Sequence, residues 1–172
     1  MDIFSHALYG GAAFGRKNIR NYILAFLIGM GPDLLSFGIL WAGVHLGFSN
    51  SPDWSKDHPS MSQIPFYVKS LYEITHSLVI FSTVFLIVWL IRKKPLWILG
   101  AWGLHILIDI PTHSFSFFPT PFLWPFSDFM INGIEWGKPI IFIPNVILLG
   151  FLYIGLLVLI KFKRSKLKKV PK

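Results

Sequence analysis

Residues 139–160 read PIIFIPNVILLGFLYIGLLVLI, an uncharged run bracketed by Lys138 and Lys161. About 20 such residues are enough for a helix to cross the hydrocarbon of a bilayer. Read outward from this stretch, three earlier segments have related character. Tyr22 to Phe48 carries Asp33 near its middle, and Leu71 to Ile91 carries Glu73 and His76 near its start. Pro95 to Ile110 is shorter, and its far end carries His105 and Asp109. The sequence predicts an all-α, polytopic membrane helical bundle in one integral membrane domain over residues 1–172. Four transmembrane helices are expected at about 22–48, 71–91, 95–113 and 139–162. A short N-terminal helix within Asp2–Gly15 precedes them, and a basic cytoplasmic tail, 163–172, follows.

Composition agrees with that fold class. The chain is 53% hydrophobic and 14% charged, whereas soluble domains carry about 25% charged residues. There is no cysteine, so disulfides and thiolate metal sites are excluded, and any metal must be held by His, Asp, Glu or backbone oxygen. The net charge is +8. Its basic residues gather at Arg16/Lys17/Arg20, at Arg92-Lys93-Lys94 and from Lys161 to Lys172. These are ends of apolar segments, so they read as topology signals and contacts to anionic lipid headgroups, and no nucleic-acid partner is expected. With four spans all three clusters fall on one side, which the positive-inside rule makes cytoplasmic. Residues 1–15 lack a basic n-region, and no cleavable signal peptide is expected.

Ionisable side chains within such segments are costly and need partners. Counting about 1.5 Å of rise per residue, His6, Asp33, His76, His105 and Asp109 all fall in the middle or outer half of the membrane. His105-Ile-Leu-Ile-Asp109 has i, i+4 spacing, which puts both side chains on one helical face, able to share a metal or simply to hydrogen-bond each other. His113 extends that row beyond Pro111. Asp33 follows Gly29-Met-Gly-Pro32, where a helix break is expected, and it could also serve as a helix cap. Glu73 precedes His76 by three residues and so could orient it, act as a base or mark a helix start. His6 lies on a small-residue helix suited to close packing. His45, at a helix end, and His58, in a polar loop, are expected to be solvated.

The ordered set His6, Pro32-Asp33, Thr75-His76-Ser77, His105xxxAsp109 and Phe122-Leu-Trp-Pro-Phe-Ser127 resembles the YdjM-like inner-membrane metal-dependent hydrolases. The resemblance runs from about residue 3 to residue 128. That family is itself remotely similar to zinc-dependent phospholipase C and single-strand nuclease enzymes. The resemblance implies that Asp33, His76, His105 and Asp109 bind one divalent ion, with Zn the first choice, and that Asp109 bridges to a second held by His6. His113 and Glu73 are then candidates for a further ligand or a substrate contact. Many relatives have a His-Arg pair shortly before Thr-His-Ser, where this chain has Tyr72-Glu73-Ile74.

The expected function is a membrane-bound metal-dependent hydrolase acting on a lipid or lipid-linked phosphoester by metal-activated water, with Asp33 as ligand and general base. Membrane lipids are the expected partners. The loop Thr112–Lys138, rich in Phe115, Phe117, Phe118, Phe122, Trp124 and Phe126, suits an interfacial cover over such a site or a plain aromatic belt. The competing class is a non-enzymatic membrane protein using the His/Asp cluster for metal or proton transport or as a structural metal site. An intramembrane metalloprotease is a third class, but no HExxH occurs.

Overall fold

A computed structural model describes residues 1–53, 59 and 61–168, so His58 and Lys56 lie outside the described residues. Among the described residues the secondary structure is helical, with no β-strand. We number the helices α1 (Ile3–Phe14), α2 (Ile19–His45), α3 (Phe66–Thr75), α4 (Leu78–Arg92), α5 (Gly100–Thr112) and α6 (Pro139–Lys168). Two segments, Ile19–His45 and Pro139–Phe162, are long and apolar enough to cross a membrane. A third span arises if α3 and α4 are one segment bent by 57°. The span expected at 95–113 is the shorter apolar helix Trp97–Thr112. The membrane-bundle expectation therefore holds in its coarse form, with two or three candidate spans where four were expected.

The polar groups sit inside and the apolar ones outside. His6, His76, His105 and Asp109 are among the most deeply buried side chains, while Ile147, Leu148, Phe151 and Leu157 of α6 are exposed. That inversion suits a molecule whose surroundings are lipid, because apolar side chains then need no cover from protein. A small apolar core of Leu40, Ile64, Val68, Tyr72 and Phe118 joins the second half of α2 to α3.

Close backbone approach positions α1. A Cβ on Gly29 would stand 2.7 Å from the His6 carbonyl oxygen, and one on Gly10 would stand 2.8 Å from that of Ala25. Only glycine lets these two helices meet so tightly. Polar contacts then fasten α1 to α6. Asn145, the buried amide of that apolar helix, donates to Ser5 Oγ at 2.8 Å and accepts from the Tyr9 hydroxyl at 2.9 Å. The Tyr153 hydroxyl donates to the Leu8 carbonyl at 2.9 Å.

Two irregularities aim the site residues. The expected break at Gly29–Pro32 does not occur: α2 runs through Pro32 and widens one turn later into a π-helical turn at Leu34–Gly38. The carbonyls of that region find other donors. Gly29 O accepts from His105 Nδ1 at 2.7 Å, and Pro32 O accepts from Ser36 Oγ at 2.9 Å and from Thr75 Oγ1 at 3.3 Å. The real interruption is at His76-Ser77, between α3 and α4. Non-helical backbone at membrane depth must be satisfied by protein, and here it is. Trp102 Nε1 donates to the Thr75 carbonyl at 2.6 Å, Leu78 N donates to the Phe122 carbonyl at 3.0 Å, and the Ser77 hydroxyl donates to the Trp124 carbonyl. Ser77 Oγ also caps α4, accepting from Val79 N and Ile80 N at 3.1 Å each. Ser77→Ala removes both roles and is expected to lower stability by about 1–3 kcal/mol, the cost of leaving buried polar groups without partners. Thermal unfolding of the purified variant in one detergent checks this.

The loop 113–136 folds back on the end of α5. Gly133 N, Ile134 N and Trp136 N donate to the carbonyls of His113, Pro111 and Thr112 at 2.8, 2.9 and 3.0 Å. Its aromatic residues divide in two. Phe118 is buried in the small core and Phe117 packs against it, whereas Phe115 and Phe126 are exposed.

Candidate metal centre

Three stretches of the chain bring Asp33, His76, His105 and Asp109 together. One ligand atom from each lies within 4.8 Å of the others. Asp33 comes from the end of the α2 turn that holds Pro32, and His76 from the break after α3. His105 and Asp109 come from successive turns of α5, with Nε2 of the first 3.1 Å from Oδ2 of the second. His76 Nε2 is 3.5 Å from Asp33 Oδ1 and 3.5 Å from Asp109 Oδ2, and His105 Nε2 is 3.8 Å from Asp33 Oδ1.

The ring orientations indicate what the cluster is for. His105 Nδ1 points at the Gly29 carbonyl at 2.7 Å, and His76 Nδ1 at the Tyr72 carbonyl at 3.1 Å. A carbonyl only accepts, so both Nδ1 atoms carry the proton, and in the neutral form each ring keeps its lone pair on Nε2. Those two Nε2 atoms face each other at 3.1 Å, beside two carboxylate oxygens. Two lone pairs at that distance repel unless a cation lies between them. Holding Nδ1 on a carbonyl is also how proteins orient a ligating histidine. The donor set of two imidazoles and two carboxylates suits a zinc-like ion. The residues therefore fit a divalent ion.

Asp109 serves two sides. Its Oδ2 faces His76 and His105, and its Oδ1 faces His6 Nε2 at 2.9 Å, His113 Nδ1 at 3.4 Å and the Met1 amino group. His6 Nε2 and Asp109 Oδ2, both buried, have no aligned hydrogen bond although polar atoms are near. Neither ring nitrogen of His6 makes a hydrogen bond, which leaves the side chain available to ligate. Its ring stacks on His105 with centroids 3.6 Å apart.

The other expected residues stand elsewhere. Glu73 lines a separate cavity of about 100 Å³ with Lys69 and Pro121. Its expected i, i+3 relation to His76 is lost because α3 ends at Thr75 and His76 turns to φ −104, ψ 16. Tyr72 takes the orienting role instead, through its carbonyl and by stacking on the His76 ring with centroids 3.9 Å apart. The signal for it was its position four residues before His76. His45 Nδ1 lies 2.8 Å from the Trp41 carbonyl at an exposed helix end, away from the cluster. Asp33 is the most open of the four, with 21% of its side chain exposed against 0–1% for the rest. It borders a cavity of about 510 Å³ that His113 also lines.

No protein family, curated protein or solved structure matches the chain.

Proposed function

We propose that this chain is a membrane-embedded, metal-dependent hydrolase of the YdjM-like kind, acting on a lipid or lipid-linked phosphoester. The observation that carries the reading is the pair of Nε2 atoms 3.1 Å apart, each ring fixed at Nδ1 by a carbonyl, with Asp33 and Asp109 beside them. A divalent ion held by Asp33, His76, His105 and Asp109 would supply Lewis acidity there. Asp33, on the cavity side, is placed to take the proton from an attacking water, while Asp109, His76 and His105 hold the charge in place. The split of the Asp109 carboxylate supports a second ion on the side of His6 and His113. The basic clusters at Arg16–Arg20, Arg92–Lys94 and Lys161–Lys172 support insertion in the inner membrane with the C-terminus cytoplasmic.

The test combines elemental analysis with turnover of a panel of phospholipids and lipid phosphates in nanodiscs. Protein purified without chelator is expected to hold Zn, Mn or Fe and to lose turnover when stripped. Asp33→Asn is expected to lower turnover by about 10²–10⁴-fold, the usual contribution of a positioned base. Absence of bound metal overturns the reading. Turnover indifferent to both stripping and Asp33→Asn overturns it as well, in favour of a transport or structural metal site.

A further inference from the structure

The cavity beside Asp33 has a composition that the metal cluster does not explain. Away from Asp33 and His113 its wall is formed mostly by Phe37, Gly38, Trp41, Phe117, Phe118 and Trp136, with Met1, Asp2, Ile3, Leu34 and Tyr72 completing it. Its volume, about 510 Å³, is in the range of sites that enclose a small molecule. The first six come from two distant stretches. Phe37, Gly38 and Trp41 lie on and after the π-helical turn, which offsets α2 by one residue just past Asp33. Phe117, Phe118 and Trp136 lie on the loop that folds back over α5.

The cavity also reaches the apolar outer surface. Leu34 and Trp41 line it, yet are 43% and 40% exposed. A free water-soluble phosphate would meet mainly apolar side chains along that wall, and the polar residues it would meet beyond Asp33 and His113 include a further carboxylate, Asp2. A hydrocarbon chain would lose nothing on leaving lipid for such a wall, and its polar end would arrive at Asp33 and His113.

We infer that this cavity is the seat of one hydrocarbon chain of a membrane lipid whose anionic head lies at the Asp33/His113 end, and that Gly38 sets how much chain it admits. The inference rests on the hydrolase reading for the identity of the head, but not for the presence of the chain. Gly38 sits on the wall, and a Cβ there would meet the Leu34 side chain at 3.3 Å and the Asp33 carbonyl oxygen at 3.7 Å, an ordinary van der Waals contact. A large residue at 38 therefore grows into the cavity without forcing backbone aside.

The experiment uses the full chain in nanodiscs doped with a phosphatidic acid carrying a diazirine at the end of one acyl chain. Labelled residues are read by mass spectrometry after illumination. Phe118 is 7% exposed and borders the cavity, so label there reports a chain inside. Leu148 and Phe151, exposed on α6, report lipid on the outside. The expected result is label on Phe117 and Phe118 that falls by about tenfold or more in Gly38→Phe, as several methylenes lose their burial. Label on Leu148 and Phe151 and the metal content should both stay as in the parent. Gly38→Leu, a smaller intrusion, gives the same comparison if Gly38→Phe does not fold. Label confined to the outer faces overturns the inference, and so does label on Phe118 that neither substitution reduces. Metal content is measured on the same preparations: protein without metal overturns the hydrolase reading alone, because the Phe118 label still decides the chain site.

Discussion

His105→Ala is expected to empty the metal centre. His105 Nε2 lies within 3.8 Å of Asp33, His76 and Asp109, so its loss removes the side chain shared by the whole group. Mutating a mere outer partner of a metal ligand costs about 10–100-fold in affinity, so removal of the ligand itself should cost more. The substitution also leaves buried Asp109 with one fewer compensating partner, and uncompensated buried charge costs about 3–5 kcal/mol. Titration of stripped protein with zinc reads the first effect, and thermal unfolding with and without zinc reads the second. The parent should gain thermal stability on loading and the variant should not. His45→Ala, at an exposed helix end, serves as the control and should load as the parent does. Zinc bound equally tightly by His105→Ala would refute the assignment.

Gly29→Leu should be the most damaging substitution outside the cluster. Its Cβ would meet the carbonyl oxygen of His6 at 2.7 Å and the Ala7 Cα at 3.3 Å, which are backbone atoms with no rotamer to change. The strain must be relieved by moving α1 off α2. Overpacking of this kind costs about 1–3 kcal/mol, and the movement draws His6 away from Asp109. Gly31 provides the contrast, because nothing stands within 4 Å of a Cβ there. Gly31→Ala should be neutral or stabilise α2 slightly, since alanine is the better helix former by roughly 1 kcal/mol. Melting both variants in one detergent gives the comparison, and a Gly29→Leu that melts like the parent would show that close packing is not required.

Much of this was legible in the order of residues, and for physical reasons. Residues 139–160 could be read from composition alone because lipid-facing helices are selected by transfer energy rather than by a partner. His105 and Asp109 could be paired because i, i+4 spacing is a property of one helix. The break at His76-Ser77 was not legible, since residues 71–91 read as one apolar segment. What interrupts them is Trp102 and the 121–126 loop, which hydropathy does not connect to them. Pro32 misled in the opposite direction, because His105, Ser36 and Thr75 supply donors to the carbonyls around it. Glu73 had the right spacing from His76 for a helix that in fact stops between them. The 510 Å³ cavity had no local signature, because its lining residues lie far apart in sequence and meet only when the chain folds back.

The interruption between α3 and α4 also bears on how the chain is made. Its backbone and hydroxyl partners lie up to 47 residues downstream, on Trp102, Phe122 and Trp124. When residues 66–92 first leave the ribosome, those groups do not yet exist. Open backbone groups in lipid cost several kcal/mol each, so an unbroken helix is the cheaper form for the newborn segment. It converts to the bent form when the later loop arrives. His76 would then meet its neighbours only once the loop is in place, so an ion held by this cluster would be captured after translation of the loop rather than guide insertion.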